Sequence, residues 1–126
     1  MPVLYHHTIS AASRFVRVCF SEVDFAAELV EELPWEKRPD FLKINPAGTV
    51  PVCVTDNGYA LCGPHIIVEW LDESFGVFKR DRRLLAEDPF QRAEIRRLVE
   101  WFLIKFEQDV VRPLVRECII KLQLPT

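Results

Sequence analysis

Asn45-Pro46-Ala47-Gly48-Thr49-Val50-Pro51-Val52-Cys53-Val54 is the most informative segment for predicting the fold of this 126-residue chain. Proline disfavours helical geometry at the residue before it, so Asn45-Pro46 ends a short helix predicted over 40–44. Ala47-Gly48-Thr49 forms a turn, and Val50-Pro51 leads into a β-branched run that is typical of a strand. An X–Pro bond can be cis at a cost of about 0.5–1 kcal/mol, and proline is tolerated at the first residue of a strand. We therefore predict a helix, a turn and a strand that begins beside a cis Val50–Pro51 bond.

On either side of this stretch, the residue pattern predicts alternating strands and helices. Strands are predicted over 3–7, 25–32, 52–55 and 59–62, and the other helices from Ser10 to about Val23 and over 64–76. The strand–helix–strand order at the start predicts a parallel pair with a right-handed crossover, and Asn57-Gly58 predicts an antiparallel hairpin. The predicted class is α/β, with a mixed four-stranded sheet and helices on both faces.

The helix faces that should be buried follow from the 3.6-residue period of a helix. Ser10 is a candidate N-cap of the first helix, and Pro64 takes the favoured first position of the third. The predicted buried positions are Phe15, Val18 and Cys19 in the first helix and Ile66, Ile67, Trp70 and Leu71 in the third.

A polar segment and a long helix follow the predicted sheet. The Lys79-Arg80-Asp81-Arg82-Arg83 run indicates a solvent-exposed linker over 79–88, which separates a domain over 1–78 from a helix over 89–126. Asp88-Pro89 supplies an N-cap and a first-turn proline, and Pro113 should kink or interrupt the helix. The helix is rich in apolar residues, and an uncovered apolar patch favours association, so we expect a homodimer or an exchange of this helix between chains.

Composition limits the function classes. The net charge of −3 gives no support for nucleic-acid binding or for attraction to an anionic membrane. The chain has no stretch of about 20 apolar residues and opens without a secretory signal pattern. Its four cysteines lack Cys-x-x-Cys spacing, so we expect buried, reduced thiols in a cytoplasmic protein that holds no metal.

The motif Asn-Pro-x-Gly-x-Val-Pro-Val at 45–52, followed by a hairpin and by Glu-Trp-Leu-Asp-Glu at 69–73, resembles the thioredoxin-like domain of cytosolic glutathione S-transferases. The resemblance implies a thioredoxin-like fold over 1–78 and glutathione as co-substrate. It also implies transfer of the glutathione thiolate to small electrophiles, in conjugation or detoxification. Residues 89–126 would then be the first helix of the family's all-helical second domain.

Ser10 is the candidate catalytic residue. Ser-Ala-Ala-Ser-Arg-Phe-Val-Arg at 10–17 is similar to the segment Ser-x-x-Ser-Arg-x-x-Arg of serine-type members. In such members the serine hydroxyl and the helix N-terminus stabilise the thiolate, so that no general base is needed. From the residues alone, Ser10 is an ordinary helix cap. Tyr5 and Ser13 are alternative hydroxyls.

Three other positions carry family roles in glutathione binding. In the family, the residue before the cis proline gives its backbone N–H and C=O to the cysteinyl part of glutathione, which points to Val50 and Pro51. Lys37, just before the short helix, could meet the glycine carboxylate. The alternatives are that Val50-Pro51 only initiates a strand and that Lys37 is an exposed surface lysine.

Gly63-Pro64 departs from the family pattern. Members usually carry an acidic or amide residue followed by serine or threonine here, and this pair holds the γ-glutamyl end of glutathione. Gly63 has no side chain, and Pro64 has neither a hydroxyl nor an N–H. Two missing hydrogen bonds to charged groups would weaken binding about a hundredfold or more. His65 could take over the carboxylate from the helix N-terminus, or it could be an ordinary helix residue.

The candidate functions follow from these residues. A divergent glutathione transferase would use Trp101, Lys105 and Gln108 to line the near wall of its substrate pocket, and this chain alone should be nearly inactive without the rest of the helical domain. The alternative is a non-catalytic interaction or regulatory module with impaired glutathione binding. A thioredoxin-type disulfide reductase is excluded, because no cysteine lies at the start of the first helix.

Overall fold

The computed structural model describes residues 1–76, 81 and 83–123. Predictions that involve residues 77–80, 82 and 124–126, including most of the Lys79–Arg83 run, lie outside this range. The chain forms two compact units, Met1–Leu85 and Ala86–Thr126. The elements of the first unit, in chain order, are β1 Val3–His6, α1 Ala11–Glu22, β2 Glu28–Glu31, a 3-10 turn Pro34–Glu36, α2 Pro39–Ile44, β3 Val52–Val54, β4 Ala60–Cys62 and α3 Pro64–Phe75.

The sheet of the first unit has four strands in the order β2-β1-β3-β4. β1 and β2 are parallel, whereas β1–β3 and β3–β4 are antiparallel. The predicted mixed four-stranded sheet of a thioredoxin-like fold is therefore confirmed. Leu4 pairs with Cys53, which pairs with Leu61, while Tyr5 pairs with Val52 and Val52 with Cys62.

The two faces of the sheet are covered by different helices. Leu4 and Cys53 lie in a buried core with residues of α1 and α3. Neighbouring residues of a strand point to opposite faces, so Tyr5 faces the other side, where its ring centroid lies 5.7 Å from that of Phe41 in α2. Each fully buried aliphatic side chain contributes about 1.5–3 kcal/mol. The core consists of Leu4, Val16, Cys19, Phe20, Val23, Cys53, Ile67, Val68 and Leu71.

Some predicted boundaries and helix faces are wrong. β1 ends at His6 and β2 begins only at Glu28. Val18 and Ile66 were expected to be buried, but each is 54% exposed. The true stripes are shifted by about one position, because tertiary packing selects the face. The buried residues are Ser13, Val16, Cys19 and Phe20 in α1 and Ile67, Val68, Leu71 and Asp72 in α3.

Asp72, near the end of α3, anchors the chain that follows the helix. Its fully buried carboxylate accepts hydrogen bonds from the Arg83 guanidinium and from the backbone N–H groups of Leu84 and Leu85. Burial alone would raise the pKa of Asp72, but the bonds from Arg83, Leu85 and Leu84 outweigh it and lower the pKa below its usual 3.8. Leu85, with a side chain that is 4% exposed, completes the first unit.

The second unit is helical from Pro89 to Gln123. It consists of α4 Pro89–Glu100, a π-helical segment Trp101–Val111, α5 Arg112–Val115, a second π-helical segment Arg116–Ile120 and α6 Lys121–Gln123. The helix was expected to kink or break near Pro113; the backbone stays helical through that residue, and π-helical winding gives way to α-helical winding at Arg112. In a π-helical segment the backbone N–H donates to the carbonyl five residues back. The Arg112 N–H, for example, donates to the Glu107 carbonyl, five residues back.

All four cysteines lie within the described part of the chain, and all are free thiols. Cys19 and Cys53 are buried, and burial raises the pKa of each to about 11, with Glu22 adding to the effect at Cys19. Cys118 is exposed and Cys62 is only partly buried, which corrects the expectation that every cysteine is buried.

Among the described residues, no helix combines the length and apolar character needed to cross a membrane. The same residues contain no group of three potential metal-binding side chains.

Candidate functional site

One edge of the sheet gathers the predicted site residues of the first unit. The carboxyl ends of parallel β1 and β2 lie together, since His6 pairs with Glu31. The start of β3 and the end of β4 lie at the same edge, because Tyr5 pairs with Val52 and Val52 with Cys62. The segments that leave or enter the sheet here carry Ser10, Lys37, Val50-Pro51 and Gly63-Pro64-His65.

The turn before β3 is built around the buried side chain of Asn45. Its Nδ2 donates to the Thr49 carbonyl at 2.9 Å, and its Oδ1 accepts from the Ala47 N–H at 3.2 Å. Gly48 sits at φ +70°, in the left-handed region that glycine adopts without strain. The Val50–Pro51 bond that follows is cis, and Pro51 is buried.

Ser10 caps α1. Its backbone is extended, and its Oγ accepts the Ser13 N–H at 3.1 Å, which satisfies one of the free N–H groups of the first helical turn. A serine hydroxyl carries one hydrogen besides its acceptor lone pairs, so the Ser10 O–H keeps a donor that the cap does not use. Ser10 is also partly exposed. The capping role is therefore compatible with donation to a bound thiolate.

The two alternative hydroxyls are placed differently. Ser13 is fully buried, and its Oγ accepts the His7 N–H at 3.3 Å. Tyr5 is partly buried and packs against Phe41 of α2. These contacts explain the positions of the Ser13 and Tyr5 side chains.

The start of α3 lies directly beside Pro51. The Gly63 N–H donates to the Pro51 carbonyl at 3.1 Å, and the Gly63 carbonyl accepts from Ile67. Gly63 has φ +107° and ψ 151°, a region that is essentially restricted to glycine. No side chain caps this helix N-terminus. With proline at the first position, the N–H groups available to an anion are those of His65 and Ile66.

Lys37 ends the 3-10 turn in a left-handed conformation, φ +51° and ψ +47°, and its side chain is exposed. The turn is tied to β2 by an ion pair that the sequence did not reveal. The Glu32 carboxylate is 2% exposed and accepts a bidentate set of hydrogen bonds from Arg38, at 2.6 Å from Nη2 and 2.9 Å from Nε. Arg38 is 47% exposed. The contact holds the two ends of the loop that carries Lys37.

Two histidines at the end of β1 were also missed as site neighbours. The His6 Nδ1 lies 2.6 Å from Arg17 Nη1 of α1, and burial together with Arg17 lowers the pKa of His6 below 6.5. The His7 ring meets the Trp35 ring edge-on, with centroids 5.0 Å apart. Adjacent histidines on a short strand gave no indication of these partners, because each partner is remote in sequence.

The residues predicted for the electrophile pocket lie on the helix of the second unit. Trp101 and Lys105, one helical turn apart, line a shallow open depression together with Arg97, Glu100 and Ile104. Lys105 pairs with Asp109 at 2.7 Å. Gln108 is exposed but does not line this depression.

The fold and site define a thioredoxin-like domain whose functional edge combines a capped helix start, a cis-proline turn and a second helix start. Residues 11–74 match the family model "Glutathione S-transferase, N-terminal domain". This chain belongs to the glutathione S-transferase family.

Three proteins are similar in sequence to this chain. A crystal structure of a glutathione S-transferase from Sinorhizobium meliloti is 67% identical with a TM-score of 0.96, covering 99% of this chain and 54% of that one. FtsZ-localized protein A of Caulobacter vibrioides is 34% identical over 110 residues, 85% of this chain and 46% of that protein. A glutathione S-transferase from Methylobacterium radiotolerans, in complex with glutathione sulfonate, is 29% identical with a TM-score of 0.68, covering 76% of this chain and 43% of that one. The chain thus spans about half the length of the relatives it matches.

Proposed function

We propose that the sheet edge binds glutathione and that the protein to which this chain corresponds transfers the glutathione thiolate to small electrophiles, as in conjugation or detoxification. The observation that carries the proposal is the convergence of Ser10, cis Val50–Pro51 and the α3 N-terminus at one edge. Family membership and a relative that contains glutathione sulfonate support the same ligand.

Each part of the site has a chemical role in this proposal. The Val50 backbone, beside Pro51, pairs with the cysteinyl peptide of the ligand. The Ser10 hydroxyl donates its free hydrogen to the thiolate, and the N-terminus of α1 adds a favourable dipole. Lys37 supplies a cation for the glycine carboxylate, and the Glu32–Arg38 pair fixes the loop from which it extends.

The γ-glutamyl end is the weak part of the site. Its carboxylate binds the N–H groups of His65 and Ile66 at the uncapped start of α3, with the His65 imidazole as a further donor. Gly63 and Pro64 contribute backbone shape rather than hydrogen bonds to the ligand. We therefore expect affinity for glutathione below that of a site with an acidic–serine pair.

The remaining parts of the proposal concern the whole protein. The electrophile binds against Trp101, Lys105 and Gln108. It also contacts residues from the part of the longer relatives that this chain does not span. The protein acts as a homodimer in the cytoplasm, and the half-exposed apolar residues of the second unit, such as Trp101 and Phe102, supply a surface for association.

Calorimetric titration of glutathione into the chain tests the binding proposal directly. Binding in the millimolar range or tighter is expected, together with ultraviolet absorbance from a bound thiolate. Ser10→Ala should abolish that absorbance while leaving the affinity for S-methylglutathione unchanged. Absence of glutathione binding, both in the chain and in the whole protein, would reject the proposal.

A second candidate function is an interaction or regulatory module. Gly63-Pro64 favours it, because it removes hydrogen bonds that the γ-glutamyl end would need, and so does the similarity to FtsZ-localized protein A. Co-sedimentation with FtsZ polymers tests it. Co-sedimentation in a protein that fails to bind glutathione would replace the first proposal, and absence of co-sedimentation would remove this partner.

A further inference from the structure

His7, the residue just after β1, makes three hydrogen bonds with residues around the start of α1. Its carbonyl accepts the Ser10 N–H at 3.1 Å, and its own N–H donates to the buried Ser13 Oγ at 3.3 Å. Its imidazole Nδ1 accepts the Ile9 N–H at 3.3 Å. One residue therefore fixes the residue before the cap, the cap itself and the first turn of α1.

The imidazole is held on its other sides as well. The ring is edge-on to Trp35, with centroids 5.0 Å apart, and Nε2 lies 3.5 Å from Oε1 of Glu31. The Ile9 N–H is aimed at Nδ1, and Nε2 faces the Glu31 carboxylate. His7 is 7% exposed, so these contacts account for a side chain that is almost completely buried.

We propose that His7 is a positioning residue: through the hydrogen bond that its Nδ1 accepts from the Ile9 N–H, and through its backbone, it sets the orientation of the Ser10 hydroxyl toward the thiolate of glutathione. This inference rests on the proposed function. His7 does not touch the ligand in this role. It restricts the conformations of Ile9 and Ser10, and this lowers the entropy cost of orienting the Ser10 hydroxyl toward the thiolate.

The side chain can be altered so that its two nitrogens are tested separately. His7→Asn keeps an acceptor oxygen at the place of Nδ1. His7→Gln places its polar atoms one bond farther out, near the position of Nε2, and His7→Leu removes both. Circular dichroism and thermal melting of each full-length chain establish that it is folded, and the Asn–Gln pair remains informative if the Leu variant is not.

The measurement is the thiolate absorbance of bound glutathione at saturation, beside the affinity for S-methylglutathione, which has no ionisable thiol. We expect His7→Gln and His7→Leu to lower the thiolate fraction about tenfold, as for loss of the hydrogen bond from the Ser10 hydroxyl to the charged thiolate. The affinity for S-methylglutathione should be unchanged. His7→Asn should retain most of the absorbance. Exchange of the Ile9 amide hydrogen should accelerate in the Gln and Leu variants alone.

The outcomes separate this inference from the proposed function. Equal thiolate absorbance in the Asn and Gln variants, or an undiminished signal in a folded Leu variant, overturns the role of His7 and leaves glutathione binding intact. A parallel loss of S-methylglutathione affinity would mean that His7 only stabilises the fold at this edge of the sheet. That result overturns the positioning role of His7 as well. Failure of the unaltered protein to bind either compound rejects the proposed function, and this inference with it.

Discussion

The two long helices of the first unit begin at the same edge of the sheet, yet they begin in different ways. α1 starts with a side-chain cap, in which Ser10 Oγ accepts the Ser13 N–H. α3 starts with Gly63-Pro64 and no side-chain cap, so that its backbone conformation and the bond from Gly63 to the Pro51 carbonyl set its position. One helix start offers a hydroxyl hydrogen, and the other offers only N–H groups.

In the proposed glutathione site, this difference suits the two helix starts to bind different chemical groups. A hydroxyl hydrogen suits a thiolate, which needs a single well-placed donor. Bare N–H groups suit a carboxylate, which can accept from two of them at once. The helices are also anchored at different places: α1 is fixed near its start through Ser10 and His7, and α3 near its end through Asp72. The predictions below probe each anchor and each start.

Asp72→Asn should have the largest effect, because it removes the charge that compensates the Arg83 guanidinium in a buried setting. We expect a loss of about 3 kcal/mol in the free energy of unfolding, measured by urea denaturation. Glu94→Gln is the matched control, since the Glu94–Arg97 pair lies on an exposed helix face and should contribute nothing measurable. Comparable stabilities for the two variants would contradict the anchoring of α3 at its end.

Gly63→Asn should cost about 2–3 kcal/mol of stability, because the conformation at φ +107° and ψ 151° excludes residues with a Cβ. A Cβ at Gly63 would come no closer than 3.7 Å to another side chain, so backbone strain is the cause rather than a clash. Gly58→Asn, at the tip of the hairpin, is the control and should cost less, since asparagine tolerates positive φ in turns. Thermal melting of both variants decides the matter.

Pro64→Ser adds a hydroxyl and an N–H at the start of α3. If the γ-glutamyl end binds there, we expect about a hundredfold tighter glutathione binding, as for two hydrogen bonds to a charged group. Pro64→Ala adds only the N–H and should give a smaller gain. Calorimetry that finds no change in either variant would place the γ-glutamyl carboxylate elsewhere.

Ser10→Asn separates the cap from the hydroxyl at the start of α1. Asparagine caps helices about as well as serine, so stability should hold, whereas Ser10→Ala should lose about 1 kcal/mol. Ser10→Ala has no side-chain donor and should lose the thiolate absorbance of bound glutathione, whereas the Nδ2 hydrogens of Ser10→Asn could retain part of it. Full absorbance in Ser10→Ala would reduce Ser10 to a structural cap.

His6 should give the smallest effect, a pH dependence of stability. Its pKa is lowered in the folded state by burial and by Arg17, so its contribution is complete above about pH 6.5 and declines as the pH falls through the folded value. His6→Gln should flatten the stability curve below about pH 6.5. Arg17→Gln should flatten it partly. An unaltered slope in His6→Gln would exclude this histidine as the source.

The local parts of this molecule were predictable from sequence. The turn at Asn45 to Val50, the cap at Ser10 and the glycine–proline start of α3 depend on residues within a few positions of one another. Their backbone preferences are intrinsic, so a motif is enough to identify them. The antiparallel hairpin at Asn57-Gly58 followed for the same reason.

The long-range parts were not predictable. Asp72 meets Arg83 after a helix end, and His6 meets Arg17 across the face of the sheet, so only the fold brings these partners together. Ser13 shows the same limit. It is polar, yet it is buried because its hydroxyl satisfies the His7 N–H, whereas the apolar Val18 remains exposed. Hydrophobic spacing cannot anticipate either outcome.

The contrast among the four thiols has a practical consequence. The pKa values of Cys19, Cys53 and Cys62 are all raised by burial, and at neutral pH such thiols are protonated and slow to react. Cys118 is exposed on the helix of the second unit. A maleimide dye should therefore react fastest at Cys118, giving a fluorescent reporter of the second unit without any substitution at the sheet edge.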